Sequence, residues 1–166
     1  MAITQSKTCR AICLDASALV KLYVDEEGSE VVRQFVNSEP TRYTTSLCFH
    51  EALTLLKIMY LYRSKLSRDQ YNDAVFDLVV WFRDAATRYE DLDFTSPLVL
   101  PEVQRIASLY NLDISDAFQI LSVKEGYFRR SPLDSKTILV TADCDLAKAA
   151  TAEGLRVWNC LKEPAP

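Results

Sequence analysis

The 166-residue chain is 49% hydrophobic and 25% charged, which suits a folded protein with a buried core and excludes a largely disordered chain. Its net charge of −4 and pI near 5.1 argue against a broad basic surface that grips long stretches of nucleic acid, although a local basic patch stays possible. We expect a single domain over residues 1–166, with a core of about 11–160.

Sequence patterns also argue against a membrane-spanning protein, a secreted protein, a disulfide framework and a zinc or multi-histidine metal site. No stretch approaches about 18 consecutive apolar residues, and the start MAITQSKTCR has no apolar segment after its basic residues, so we expect no membrane span, no secretory signal and a cytoplasmic location. The five cysteines are widely spaced without a CxxC pair, which favours buried thiols over disulfides or zinc. With the single histidine His50, no multi-histidine metal site can form. Carboxylates are the remaining candidates for chemistry.

The first half of the chain is mostly helical. Its predicted elements are, in order, a buried strand at 11–14, helices at 17–24 and 30–38, a short strand at 42–45, and long helices at 46–64 and 67–88. Ser46 and Ser67 are the predicted N-caps of the two long helices. We expect these two helices to form a hairpin.

The second half alternates strands and helices. Its predicted elements are a strand at 91–94, helices at 97–112 and 115–128, a buried strand at 137–141, a helix at 144–154 and a strand at 155–159. Strands separated by helices pair in parallel through right-handed crossovers. The sequence therefore predicts an α/β three-layer sandwich with a parallel central sheet flanked by helices.

Two acids follow predicted strands at the edge where such sheets bind ligands. Asp15 comes directly after the first strand, and Asp143 lies two residues beyond Thr141, where TILVT ends. Each also has an ordinary interpretation as a residue that caps the following helix. Their recurrence in equivalent places favours a shared site.

Glu51 is the most informative acid. In SLCFHEALTLLKIMY it shares a stripe at four-residue spacing with Leu47, Leu55 and Met59, and we expect that face to pack inward. A buried carboxylate must be paired with a cation, bind a metal or stay protonated. A salt bridge to arginine or lysine is the structural alternative to a metal site.

Further acids cluster at predicted helix starts. Asp116 follows the predicted N-cap Ser115, and Asp145 lies in the first turn of the helix that Asp143 begins. Asp113 is either an ordinary turn residue or a second acid near the same opening. Carboxylates gathered within a few ångströms cannot all ionise without cations. Oxygen-only ligands suit two Mg²⁺ or Mn²⁺ ions, which can activate water for an in-line phosphoryl displacement.

The fragments LDASALVKLYV, HEAL, SDA and VTADCDL, in this order and spacing, resemble the PIN-domain family, particularly the VapC-type ribonuclease toxins of toxin–antitoxin pairs. The resemblance spans about Ile12 to Trp158. It implies a parallel sheet between helices, metal-dependent cleavage of RNA, frequent homodimers and inhibition by a small antitoxin.

The resemblance also assigns roles to residues. It places the family's four acids on Asp15, Glu51, Asp116 and Asp143, and its auxiliary hydroxyl residues on Ser17 and Thr141. Asp145 matches an extra acid that some members carry, whereas Asp113 is not clearly a family position. The chain is longer than many such toxins, and the surplus falls in the two helices between Leu47 and Arg88.

Other interpretations of the function of this sequence stay open. A phosphoaspartate enzyme also places an aspartate after a parallel strand, but the haloacid-dehalogenase type needs a second acid where this chain has Ser17. A noncatalytic binding or assembly module of the same fold, with a structural ion, is the alternative of a different class. Two basic groups, Arg63, Lys65 and Arg68 or Arg129 and Arg130, are candidates for a phosphate patch, with an ordinary solvated surface as the favoured interpretation of both. A homodimer or antitoxin contact is expected at Leu22, Tyr23, Tyr60 and Tyr62.

Overall fold

The computed structural model describes residues 11–39, 41–87, 90–130 and 137–166. Its strands are β1 (Ala11–Leu14), β2 (Thr41–Tyr43), β3 (Ile138–Thr141) and β4 (Arg156–Asn159). Its α-helices are α1 (Ala16–Val20), α2 (Ser29–Ser38), α3 (Ser46–Leu61), α4 (Arg68–Val80), α5 (Val99–Tyr110), α6 (Ile114–Glu125) and α7 (Cys144–Ala152). A π-helical turn, Trp81–Ala85, follows α4, and a 3-10 turn, Tyr127–Arg130, follows α6.

The strands form one parallel sheet in the order β2-β1-β3-β4. Because β1 and β3 are the inner pair, their carboxyl ends meet at the centre of one sheet edge, with Leu14 paired to Val140. All four residues of each inner strand are buried. Continuous apolar runs of this kind are typical of parallel strands that are covered on both faces.

Helices cover both faces of the sheet. Alternate residues of β1 point to opposite sides, so Ile12 and Leu14 join one core cluster and Ala11 and Cys13 the other. Helices α1 to α4 pack in the cluster with Ile12, and α5 to α7 pack in the cluster with Cys13. The predicted three-layer α/β sandwich with a parallel central sheet is confirmed.

The predicted strand at 91–94 is wrong. Asp93 instead accepts hydrogen bonds from the backbone N–H of Thr95 at 2.9 Å and from its hydroxyl at 2.7 Å, which closes a turn. Phe94 packs edge-on against Phe118 of α6, with ring centroids 5.5 Å apart. The alternation in DLDF therefore reflects a loop whose apolar side chains cover α6.

Several predicted helix boundaries also shift. Helix α1 ends at Val20 rather than at Val24, and the N-cap of α3 is Thr45, whose hydroxyl accepts from Cys48 N at 3.2 Å, rather than Ser46. Helix α6 begins one residue after Asp113, so Ser115 lies inside the helix instead of capping it. The shifts at the starts of α3 and α6 follow because Thr45 and Asp113 are also residue types that favour the N-cap position.

The predicted hairpin of long helices is present in α3 and α4. Ser67 caps α4 through a capping box with Gln70, as predicted. After Val80 the helix widens into the π-helical turn, in which Trp81 is buried. The helix ends at Ala85 and Ala86 is extended, so the predicted continuation to Arg88, which itself lies outside the described residues, is wrong. In the described ranges, none of the helices combines the length and apolar character needed to span a bilayer.

The cysteines behave as predicted where they are described. Cys13, Cys48, Cys144 and Cys160 are free thiols, and three of these are buried. Cys9 lies outside the described residues.

Candidate active site

Asp15 lies at the carboxyl end of β1 and caps α1. Its side chain is 4% exposed, and Oδ2 accepts hydrogen bonds from Ser17 N at 3.2 Å, Ser17 Oγ at 2.5 Å and Thr141 Oγ1 at 2.9 Å. Burial raises the pKa of Asp15, and the hydrogen bonds from Ser17 and Thr141 partly oppose that rise. The capping and functional interpretations of Asp15 are therefore compatible, because the cap uses only Oδ2.

Thr141 and Ser17 tie the inner strands together at this edge. The Thr141 hydroxyl donates to Asp15 and accepts from Asp143 N at 2.9 Å, and Ser17 Oγ accepts from Ala142 N at 2.9 Å. Asp143 is exposed and caps α7, because its Oδ1 accepts from Asp145 N at 2.7 Å and from Leu146 N at 2.9 Å. The two auxiliary hydroxyl residues thus position both strand-end acids.

Glu51 lies on α3, near the helix end that begins at the same sheet edge. Its predicted stripe is at the margin of the buried face, because Leu47 is 37% exposed while Cys48, Ala52 and Leu56 form the buried side. Glu51 Oε2 is nevertheless buried and has no hydrogen-bond partner in the described part of the chain. Burial and the charge of Asp15 raise the pKa of Glu51, while a hydrogen bond from Ser115 lowers it.

Asp116 lies in the first turn of α6 and faces the same acids. Burial, followed by the charges of Asp15, Glu51, Asp143 and Asp113, raises the pKa of Asp116 to about 7. Asp113 also raises the pKa of Glu51. Asp15, Glu51, Asp116 and Asp143 are therefore close enough to influence one another electrostatically, and Asp113 acts on Glu51 and Asp116 as well.

The described part of the chain supplies no cation that pairs with these four acids. Among the described residues, no salt bridge involves Asp15, Glu51, Asp116 or Asp143, while the ion pairs that do form lie elsewhere. The structural alternative for Glu51, a salt bridge to arginine or lysine, is therefore not what the described residues form. Uncompensated buried carboxylates are unfavourable unless they stay protonated or gain a cation.

The donor set fits a divalent metal in chemistry and only partly in geometry. All of its atoms are hard oxygens, and Glu51 Oε2 is a buried oxygen without a partner, which suits Mg²⁺ or Mn²⁺. However, no three histidine, cysteine or acidic side chains among the described residues stand close enough to form a ready-made ligand set. The sequence predicts that these carboxylates gather within a few ångströms, and the described side chains do not come that close together. Repulsion between like charges would keep them apart.

The side chain of Asp145 and the described basic side chains of the two candidate patches are paired or exposed on the surface. Asp145 is exposed and pairs with Lys148 at 3.0 Å on the surface of α7. Arg63, Lys65 and Arg68 are exposed at the hairpin tip. Arg63 lies 12 positions beyond Glu51, mostly along α3, which corresponds to about 18 Å at 1.5 Å per helical residue. Arg129 pairs with Glu125, and the Arg130 side chain lies outside the described residues.

Sequence reasoning missed one buried polar residue, Gln119. Gln119 of α6 is 0% exposed and hydrogen-bonds to cysteines of two other elements. A glutamine among the apolar positions of a predicted helix could have marked it as unusual, but its partners are far away in sequence.

The fold is that of an α/β protein with a parallel sheet, and acids that influence one another electrostatically follow its inner strands and lie on the adjoining helices. The family model of the PIN domain matches residues 12–152, and the chain belongs to the PIN domain family. PIN domains are generally metal-dependent nucleases that bind RNA. The predicted family membership is therefore confirmed at this level.

A solved structure supports the same fold. The chain is similar to PAE2754 from Pyrobaculum aerophilum, with 21% sequence identity, a TM-score of 0.56, and coverage of 84% of this chain and 86% of that chain. At this identity the similarity shows the fold alone. No curated protein matches the chain at a significant level.

Proposed function

We propose that the protein is a Mg²⁺- or Mn²⁺-dependent endoribonuclease, the toxin of a type II toxin–antitoxin pair, with Asp15, Glu51, Asp116 and Asp143 as its catalytic and metal-binding acids. Membership of the PIN domain family supports nuclease activity in general. The finer assignment rests on the resemblance of the four motifs to VapC-type toxins and on the properties of the acids. The cytoplasmic location also stays a prediction from the sequence.

The observation that carries the proposal is the buried, unpartnered Oε2 of Glu51. A carboxylate oxygen without a hydrogen bond is costly in a protein interior unless it stays protonated or binds a cation. The neighbouring acids Asp15 and Asp143 raise the pKa of Glu51 instead of compensating its charge. A divalent cation would compensate all of these charges together.

The side chains of this protein have separate tasks in the proposed reaction. Bound divalent ions would supply positive charge at the scissile phosphate and lower the pKa of a water nucleophile. Ser17 and Thr141 occupy Oδ2 of Asp15 and so hold that carboxylate in one orientation. Glu51 and Asp116 approach from helices on opposite sides of the sheet. Asp145 remains an additional candidate ligand, which needs to leave Lys148 to take part.

The proposed substrate is RNA, cleaved to 5′-phosphate and 3′-hydroxyl ends as the family resemblance suggests. Arg63, Lys65 and Arg68 at the hairpin tip are proposed to bind phosphates of the same strand at a distance from the acids. The acidic net charge of −4 makes such a local patch more important than nonspecific attraction.

Partners are proposed for the exposed apolar surface of the helical hairpin. Tyr62 is 75% exposed and Leu61 51% exposed, whereas Tyr60 stacks on Tyr71 within the chain. Leu22 and Tyr23 are half-buried against the first core cluster. We therefore place the homodimer or antitoxin contact mainly at the hairpin. Sedimentation that shows a strict monomer at high concentration would exclude the homodimer.

The decisive test is Mn²⁺ titration by calorimetry on the wild type and on Glu51→Gln. We expect the wild type to bind Mn²⁺ and the variant to bind it at least ten times more weakly. Glu30→Gln, which changes an exposed acid of α2, is the matched control and should bind like the wild type. Cleavage of a mixed RNA pool should follow the same order and stop in EDTA.

A noncatalytic module with a structural ion is the second candidate. The observation that favours it is that Asp15 and Asp143 both cap helices, a structural role that requires no catalysis. Such a module would bind Mn²⁺ and gain thermal stability without cleaving any RNA in the pool.

A further inference from the structure

Three buried polar side chains form a bridge directly behind the candidate acids. Cys48 Sγ donates to Gln119 Oε1 at 3.0 Å, and Gln119 Nε2 donates to Cys13 Sγ at 3.5 Å. All three residues are 0% exposed. We call this set the Cys13–Gln119–Cys48 bridge.

Each member of the bridge lies two or three residues away from one of the acids in the sequence. Cys13 lies two residues before Asp15, Cys48 lies three residues before Glu51, and Gln119 lies three residues after Asp116. Residues three apart on a helix lie on one face, and so do residues two apart on an extended chain. The bridge therefore forms a layer immediately behind the acids, on the same three chain segments.

The bridge connects the two helical layers. Cys48 belongs to the core cluster of α1 to α4, whereas Cys13 belongs to the cluster of α5 to α7. The two clusters lie on opposite faces of the sheet, and α3 and α6 come into contact with each other between them. Gln119 of α6 contacts Cys48 of α3 across this division.

Burying the amide of Gln119 costs free energy, which indicates that the bridge has a structural or functional role. A buried amide must keep its hydrogen bonds, because an unpaired amide in an apolar interior loses its hydration without compensation. An apolar residue at position 119 would avoid that requirement. Unlike apolar contacts, the two hydrogen bonds are directional and fix the rotation of α6 relative to α3 and β1.

We propose that Gln119 is a positioning residue, which holds α3 and α6 so that Glu51 and Asp116 act on the same cation. The proposal rests on the proposed metal-dependent function. It assigns Gln119 no contact with substrate or metal, since its amide is occupied by the two thiols.

The test uses Gln119→Met, which keeps the length of the side chain and removes both strong hydrogen-bonding groups. Thiols are weak hydrogen-bonding groups and tolerate an apolar neighbour, so the variant should fold. We expect its Mn²⁺ affinity to fall about 10- to 100-fold and its kcat for RNA to fall with little change in KM. Ser122→Ala is the matched control, because Ser122 is buried on the same helix, one turn farther along, and its hydroxyl has no partner in the described part of the chain. It should bind Mn²⁺ like the wild type.

A double-mutant cycle separates positioning from a general loss of packing. If Gln119 acts through Cys48, then Cys48→Ala alone should weaken Mn²⁺ binding, and combining it with Gln119→Met should add little. Independent, additive losses would overturn the proposal. Folded Gln119→Met with wild-type Mn²⁺ affinity would also overturn it while leaving the proposed function intact. If Gln119→Met does not fold, unchanged Mn²⁺ binding by folded Cys48→Ala overturns the proposal, and weakened binding supports it. A wild type that neither binds Mn²⁺ nor cleaves RNA would reject the proposed function itself.

Discussion

Thr141 donates a hydrogen bond to Asp15 across 126 positions of sequence, at 2.9 Å, and so joins the ends of the two inner strands. The same hydroxyl accepts a hydrogen bond from Asp143 N, so one buried side chain contacts both strand-end acids. This relationship links the stability of the sheet edge to the orientation of the candidate acids.

Thr141→Val should therefore harm both stability and activity. The substitution keeps the shape but leaves Asp143 N and Asp15 Oδ2 each without one partner, at a cost of about 1–3 kcal/mol in the free energy of unfolding. Urea denaturation measures this cost. Thr141→Ser keeps the hydroxyl and should retain most RNA cleavage. Equal activity of Thr141→Val and the wild type would show that this hydrogen bond does not orient Asp15.

Asp15→Asn should separate stability from activity. The change keeps the volume, removes a charge that raises the pKa of Glu51 and Asp116, and removes a proposed metal ligand. Thermal melts in EDTA should show a stability equal to or above that of the wild type. Cleavage of a mixed RNA pool in Mn²⁺ should fall by orders of magnitude. Equal cleavage by both proteins, or cleavage that persists in EDTA, would contradict the metal–carboxylate mechanism.

Asp143→Asn and Asp145→Asn should differ sharply in their affinity for Mn²⁺. Asp143 raises the pKa of Glu51 and Asp116, whereas Asp145 pairs with Lys148 on the surface. Asparagine at position 143 can still accept the two capping hydrogen bonds, so folding should survive while Mn²⁺ affinity falls about tenfold or more. We expect Asp145→Asn to change Mn²⁺ affinity less than threefold. A large loss in calorimetry for Asp145→Asn would instead make Asp145 a metal ligand.

Stability without metal should fall as pH rises towards neutrality. The folded protein keeps a proton on Asp116 up to about pH 7, whereas an unperturbed aspartate loses it near pH 3.8. The folded state therefore binds more protons in this window, and the free energy of unfolding decreases from about pH 4 to pH 7. Thermal melts in EDTA across this range should show the decrease, and Asp116→Asn should flatten it. Mn²⁺ affinity should change in the opposite direction, because the ligands must lose their protons to bind.

Two glycines offer a test of packing at the C-terminal segment. Gly28 and Gly154 both have left-handed backbones, with φ of 80° and 83°. A Cβ at Gly28 would lie 2.9 Å from Leu161 Cδ2 and 3.3 Å from Cys160 O, whereas one at Gly154 meets nothing within 4 Å. Both alanine variants should be destabilised by about 1 kcal/mol of backbone strain, and Gly28→Ala by more. Equal urea midpoints for the two would show that residues 160 and 161 shift freely.

The sequence predicted the main features of the fold because they depend on local pattern. Continuous apolar runs identified β1 and β3, and acids that directly follow such strands necessarily gather at one sheet edge. Glu51 was recognisable because a charge interrupts a largely apolar helix. Asp15, Asp116 and Asp143 were recognisable as acids that follow strands or begin a helix, but their spacing relative to Glu51 was not.

The failures have equally local causes. DLDF alternates like a strand, but Asp93 is a turn former when Thr95 can donate to it. The Cys13–Gln119–Cys48 bridge joins residues separated by 71 and 106 positions, and no periodicity encodes such contacts. The distances between the acids also depend on long-range packing and charge repulsion, which a linear pattern does not contain.

The 126-position separation between Thr141 and Asp15 has a consequence for synthesis on the ribosome. During translation, Asp15, Glu51 and Asp116 leave the exit tunnel well before β3, so the growing polypeptide lacks the inner strand that completes the sheet edge. Long-range pairing of this kind forms late. The candidate acids therefore cannot assemble until residues 138–143 have emerged, and partial translation products should be inert towards RNA.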